Sequence, residues 1–95
     1  MALPATKSEW LLGREDPNSG IVPDVDLTPQ GPEAGGVSRR HCIIQQHGSQ
    51  FTVTDQGAMN GSFVNGIALT PNVPHPLNHG DELKLGKLAM KFYTS

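Results

Sequence analysis

His41-Cys42-Ile43-Ile44-Gln45-Gln46 and Gln50-Phe51-Thr52-Val53-Thr54, joined through His47-Gly48-Ser49, decide the fold. Two short runs of β-branched, aromatic and polar residues on either side of a glycine-bearing turn read as a β-hairpin. Alternation puts Cys42 and Ile44 on one face and Phe51 and Val53 likewise, with Thr52 and Thr54 outward. Working outward, Ser62-Phe63-Val64 and Ile67-Ala68-Leu69 flank Asn65-Gly66, the strongest short-range hairpin signal a sequence carries. After a Pro-rich turn (Pro71, Pro74, Pro76), Asp81–Leu85 and Leu88–Tyr93 form a closing hairpin around Gly86-Lys87. Towards the N-terminus, Glu9-Trp10-Leu11-Leu12 is a strand-like run closed by Gly13. Thr6-Lys7-Ser8-Glu9 matches a helix capping box, but Gly13 and Pro17 leave no room for the helix. Short strands at this spacing indicate an all-β sandwich.

Composition agrees. The chain has 95 residues, of which 11 are Gly and 8 Pro, a combined share well above the usual ~12 %. Each interior Gly or Pro costs a helix about 1 or 3 kcal/mol, so long helices are excluded and one interrupted core is expected. At this length a single domain is expected over residues 1–95, with its motif-bearing part over 9–93 and residues 1–8 a flexible start or a truncated first strand. The net charge is −2, so no overall basic field exists to hold nucleic acid or an anionic membrane. No apolar run approaches the ~20 residues of a membrane span, and Met1–Glu9 lacks the regions of a signal peptide. A single cysteine makes neither an internal disulfide nor a Cys-rich zinc site. A soluble, cytoplasmic domain without cofactor or metal is expected.

The placement of positive charge says more than its sum. The three arginines, Arg14, Arg39 and Arg40, all lie in or beside Gly-rich irregular sequence. Arginine presents a planar fork suited to phosphate or carboxylate, whereas lysine is a point charge. Three short motifs, Gly13-Arg14, Ser38-Arg39-Arg40-His41 and Asn60-Gly61, sit at strand ends or in connections, where a rigid sandwich presents binding groups. They supply guanidinium forks, a hydroxyl and a carboxamide, and no carboxylate lies within them. Those groups suit a dianionic phosphate on an extended peptide; ordinary turn chemistry accounts for the same residues about equally well. The long Pro/Gly stretch from Glu15 to Val37 is read as functional or ordered, because it is flanked by two arginine sites.

Gly13-Arg14, Val37-Ser38-Arg39-Arg40-His41, Asp55…Asn60-Gly61-Ser62-Phe63-Val64-Asn65-Gly66 and Leu77…Gly80-Asp81-Glu82-Leu83…Leu85-Gly86, in that order, resemble a forkhead-associated (FHA) domain over roughly residues 9–93. The wording at Asp26–Pro29 and Gly35–His41 is similar to a bacterial branch of the family. The resemblance implies an eleven-strand sandwich of two antiparallel sheets whose loops at one end bind phosphothreonine peptides. By motif, Arg14 is implied as the main phosphate fork, Ser38 as a hydroxyl donor to phosphate and Arg39 as a further phosphopeptide contact. Asn60 is implied to bond the peptide main chain. Gly13, His41, Asp55 and Gly61 are implied as support: the histidine ties the loop, the glycine permits the Asn60 turn and Asp55 accepts loop N–H groups. A small pocket for the γ-methyl group gives the family its preference for threonine, a contact worth on the order of 1 kcal/mol.

This sequence departs from that pattern in four places. Ala58 and Met59 stand where the family often has Ser or Thr before Asn-Gly. These two, with Arg40, are read as pocket or specificity residues, and a hydroxyl that could touch phosphate is absent. Ser62 replaces the usual threonine. The Pro/Gly insert before Ser38 has no counterpart in the shortest family members. Only 13 residues precede Arg14, so the first strand is expected to be missing and the edge left open to pair with a second chain.

The competing readings are plainer. Cys42 on an inward face is a core residue rather than a nucleophile. His75 and His79 have metal spacing only on a helix, which Pro74 and Pro76 oppose. Glu15, Asp16, Asp24 and Asp26 match no EF-hand and read as a solvated loop. There is no Walker loop, HExxH or GxSxG, so no enzyme is expected. The expected partner is a phosphothreonine-bearing substrate of a Ser/Thr kinase, read by one module of a signalling or scaffold protein. The alternative is a phosphate-independent interaction or oligomerisation module of the same fold; a weaker one is an inactive accessory domain of an enzyme.

Overall fold

Alternating side chains build two sheets with one apolar face each, and the computed structural model packs those faces together. It describes residues 7–16, 18, 20, 22–27 and 36–94. The start at residues 1–6 and the stretch 28–35 of the Pro/Gly insert, with Thr28-Pro29 of the bacterial-type wording, lie outside the described residues. The strands are β1 (Glu9–Gly13), β2 (Val25–Asp26), β3 (Cys42–His47), β4 (Gln50–Asp55), β5 (Ser62–Val64), β6 (Ile67–Ala68), β7 (His75–Leu77), β8 (Glu82–Leu85) and β9 (Leu88–Lys91). They form a five-stranded sheet in the order β2-β1-β3-β4-β7 and a four-stranded sheet in the order β6-β5-β8-β9. The described residues thus show nine strands where the resemblance implies eleven, and contain no α-helix.

Register explains the core. Trp10 faces Ile44 and Ile44 faces Val53 across β1, β3 and β4, so one inward row runs through the middle of the larger sheet. In the smaller sheet Val64 pairs with Leu83, and Leu85 with Ser62 and Leu88. These residues, with Leu12, Cys42, Leu77 and Phe92, form a single buried cluster. Phe51 bridges it, edge-on to Phe92 at 5.1 Å between ring centroids and tilted against Trp10 at 6.4 Å. Cys42 is fully buried, and burial pushes its thiol far up from its ordinary value. It is core, as its alternation implies.

The structure adds two strands that the sequence reading treated otherwise. His75-Pro76-Leu77, placed in a Pro-rich turn, is β7, an edge strand paired to β4 with Pro76 opposite Thr52. Proline is tolerated there because an edge strand need not donate on both sides. Within the Pro/Gly stretch, Val25–Asp26 is β2, which runs parallel to β1 in an otherwise antiparallel sheet. The chain after Gly13 therefore loops back and returns in the same direction. Thr52 and Thr54 are half-buried rather than outward and exposed.

Strand direction sets the functional end. β1 and β4 end, and β3 begins, at the same end of the larger sheet, where β5 and β9 begin and β8 ends in the smaller one. Gly86 N–H donates to the Gly61 carbonyl at 3.0 Å, extending the β5–β8 pairing of the smaller sheet to that end. All three motifs singled out above emerge there.

Candidate functional site

The site begins where β1 stops. A Cβ on Gly13 would collide with the Arg39 carbonyl group, so only glycine lets the 36–41 segment cross β1 this closely. That crossing places Arg14 under the segment. Its backbone N–H donates to the Ser38 carbonyl at 3.3 Å, and its guanidinium Nε to the Val37 carbonyl. Holding Nε fixes the plane of the fork. Among the described residues no protein group takes the two terminal nitrogens of Arg14, which are the pair that chelates an oxyanion.

His41 fastens the same segment to the next loop. It is fully buried, and its Nδ1 accepts the Ser38 N–H at 3.0 Å. With Nδ1 an acceptor, the ring proton sits on Nε2, which donates to the Gly61 carbonyl at 2.7 Å. Burial holds the His41 pKa below the ordinary histidine value, opposed by the Gly61 bond and by the charge of Asp55. The neutral ring is thus the form that fits both partners.

Asp55, buried at the end of β4, organises the 56–61 loop. One oxygen accepts the N–H groups of Gly57 and Ala58 at 3.0 and 3.2 Å, and the other accepts the Ser62 hydroxyl at 2.5 Å. The loop then closes with Gly61 N–H on the Ala58 carbonyl at 3.2 Å, Gly61 taking a φ of +76°. This geometry projects Asn60 outward, where its Nδ2 donates to the Gly36 carbonyl at 3.0 Å. The Asn60 side-chain oxygen lies on the same exposed carboxamide, an acceptor of the kind a peptide N–H requires.

Ser38 sits between these parts. Its Oγ accepts the Met59 N–H at 3.3 Å, and a hydroxyl that accepts on one side has its single proton to give on the other. At Met59 the backbone, rather than a side-chain hydroxyl, braces the serine. Ala58 is half-buried, the Met59 side chain is 91 % exposed and Arg40 is exposed. The structure therefore brings together Arg14, Ser38 and Asn60, supported by Gly13, His41, Asp55 and Gly61.

Arg39 has a partner that the family motif does not imply. Its guanidinium is paired with Asp16 at 2.5 Å, so it meets the site already holding an anion from its own chain. Asp24 likewise accepts the Leu11 N–H at 2.8 Å and pairs with Lys7, and Asp26 accepts the Glu15 N–H at 3.3 Å. These carboxylates brace the edge of the sheet rather than lining a solvated loop. Sequence reasoning missed Asp16 because its partner lies 23 residues away. It also missed Lys87: the Gly86-Lys87 turn is legible as a turn, but only the sheet order brings it beside Gly36 and Asn60.

A sandwich whose loops converge at one end on a guanidinium fork, a braced hydroxyl and an exposed carboxamide defines a ligand-binding module of the anion-reading class. The family model of the FHA domain matches residues 10–86, and the chain belongs to that family. It is similar to the oxoglutarate dehydrogenase inhibitor of Corynebacterium jeikeium (35 % identity over 94 % of this chain and 58 % of the relative). It is also similar to the glycogen accumulation regulator GarA of Mycolicibacterium smegmatis (34 % identity over 96 % of this chain and 54 % of the relative). The chain thus spans little more than half the length of these two relatives. Among solved structures, it matches an FHA domain from a study of phosphothreonine-dependent FHA interactions (25 % identity, TM-score 0.72, covering 94 % of this chain and 79 % of that one). No helix among the described residues is long and apolar enough to cross a membrane.

Proposed function

We propose that this chain is a phosphothreonine-dependent peptide-binding module of a cytoplasmic signalling or scaffold protein, without catalysis of its own. The observation that carries the reading is the convergence of the Arg14 terminal nitrogens, the Ser38 hydroxyl and the Asn60 carboxamide on one exposed surface. Arg14 and Ser38 hold the phosphate through charge-assisted bonds, each worth about 1.5–3 kcal/mol. Asn60 bonds the main chain beside the phosphoresidue, and the partner is a protein phosphorylated by a Ser/Thr kinase. FHA membership supports this, as do relatives named as regulators or inhibitors.

The test is calorimetric titration with a degenerate phosphothreonine peptide library, its phosphoserine and unphosphorylated counterparts, and an Arg14→Ala variant. Binding by wild type to phosphothreonine peptides alone, reduced at least about 100-fold in Arg14→Ala, is the expected result. Equal binding by Arg14→Ala, or indifference to phosphate, overturns it. The Asp16–Arg39 pair favours a second reading, a phosphate-independent interaction module, since one cation of the site is already neutralised; the unphosphorylated peptide arm decides between the two. Self-association through an open sheet edge belongs to this second reading, and light scattering that shows a monomer across the concentration range overturns it.

A further inference from the structure

The recognition end extends beyond the three motifs, onto the turn between β8 and β9. Gly86 is buried with a φ of +61°, and a Cβ there would collide with the Gly36 carbonyl and lie 3.3 Å from the Asn60 Cβ. The turn is therefore pressed against the residues that flank the site. A Cβ on Gly36 would lie 3.6 Å from Asn60 Nδ2, 3.5 Å from Lys87 N and 3.9 Å from Lys87 Cγ. Lys87 is thus in contact with the segment that Asn60 holds. It is exposed, and among the described residues it forms no ion pair.

The contacts also give the site an order. Along 36–39, Arg39 meets Asp16, Ser38 meets Met59, Ser38 and Val37 meet Arg14, and Gly36 meets Asn60 and Lys87. One flank therefore carries a cation already paired with an acid, and the other a cation with no acid partner among the described residues. Resting on the phosphothreonine reading above, we propose that Lys87 is a specificity-determining residue. It selects ligands with an acidic side chain a few residues from the phosphothreonine, on the flank whose main chain lies over Asn60. A flexible ammonium fits this role because it needs charge and reach rather than fixed geometry.

The experiment is a positional scan. Phosphothreonine peptides with Glu, Ala or Lys at each of the three positions on either side of the phosphoresidue are titrated against wild type, Lys87→Ala and Lys87→Glu. Wild type is expected to prefer Glu over Ala at positions on one side only, about two- to fivefold at low salt, as befits an exposed pair. The preference fades in high salt. Lys87→Ala abolishes it and Lys87→Glu turns it into a preference for Lys, while both variants keep phosphate dependence and unchanged thermal stability. Identical profiles for all three proteins, with phosphate dependence intact, overturn the role of Lys87 alone. Failure of wild type to bind any phosphothreonine peptide overturns the functional reading, and this proposal with it.

Discussion

The loops 36–41 and 56–61 and the segment 14–27 both border the site, but they are held in opposite ways. The first pair is stitched by buried groups: His41 joins Ser38 to Gly61, and Asp55 gathers Gly57, Ala58 and Ser62. Beyond the pairing of β2 with β1, the described residues of segment 14–27 are held near the surface by carboxylates. The Leu11 N–H and the Lys7 ammonium keep the Asp24 carboxyl below its ordinary range, and Asp16 rests on Arg39. Buried networks set one geometry, because each unmade bond carries a full desolvation penalty. Exposed ion pairs are screened and exchange readily. The site therefore joins a fixed half, which presents Ser38 and Asn60, to a half whose contacts a ligand can replace.

The hardest way to break that contrast is at His41. His41→Ala leaves the Ser38 N–H unpaired in the interior, takes one of two donors from the Gly61 carbonyl, which keeps the Gly86 N–H, and opens a cavity. A loss of about 2–4 kcal/mol is expected, read by urea denaturation, with phosphopeptide binding lost in parallel. The same residue gives a pH signature. Burial depresses its folded-state pKa below the unfolded value of 6.5, so unfolding takes up a proton as pH falls. Its contribution is complete above about pH 6.5 and is lost as pH falls through 6.5 towards the folded pKa. Over this window stability should fall in wild type more steeply than in His41→Ala. Phosphopeptide affinity should fall over the same range, reinforced by the phosphate pKa near 6.

Gly13→Ala strikes the seam between the two halves. The added methyl meets the Arg39 backbone rather than a flexible side chain, so the 36–41 segment must lift off β1. About 1–3 kcal/mol of destabilisation is expected. A loss of affinity larger than that of a core substitution with equal destabilisation would show that Arg14 and Ser38 have moved apart; equal losses would reduce Gly13 to a packing role.

How much of this was legible in the sequence follows from the same division. The hairpins around Asn65-Gly66 and Gly86-Lys87 were legible because their turn chemistry is local; Asn65 and Gly66 take φ values of +51° and +82°, as a primed turn requires. The roles of His41 and Asp55 came with the family motif, and the buried bonds are consistent with it. Strand β7 was hidden because Pro76 signals a turn unless the edge position of the strand is known. Asp16 and Lys87 were hidden for a different reason. Each gains its role from a neighbour remote in sequence, Arg39 or Gly36, and no periodicity records such a meeting.

The smallest effect is the most informative about the replaceable half. Asp16 occupies Arg39, so a phosphopeptide that uses Arg39 must first displace a carboxylate. Asp16→Asn removes the charge but keeps the shape and a hydrogen-bonding oxygen. Stability should hardly change, since an exposed pair contributes little. Affinity for a phosphothreonine peptide should rise about two- to fivefold at low salt, and the gain should shrink as salt screens the competition. Arg39→Ala on its own should lower affinity, and adding Asp16→Asn to it should restore nothing, because the two changes act through one contact. If Asp16→Asn instead weakens binding, the carboxylate is positioning Arg39 for the ligand rather than competing with it, and the two halves of the site would be alike in being fixed.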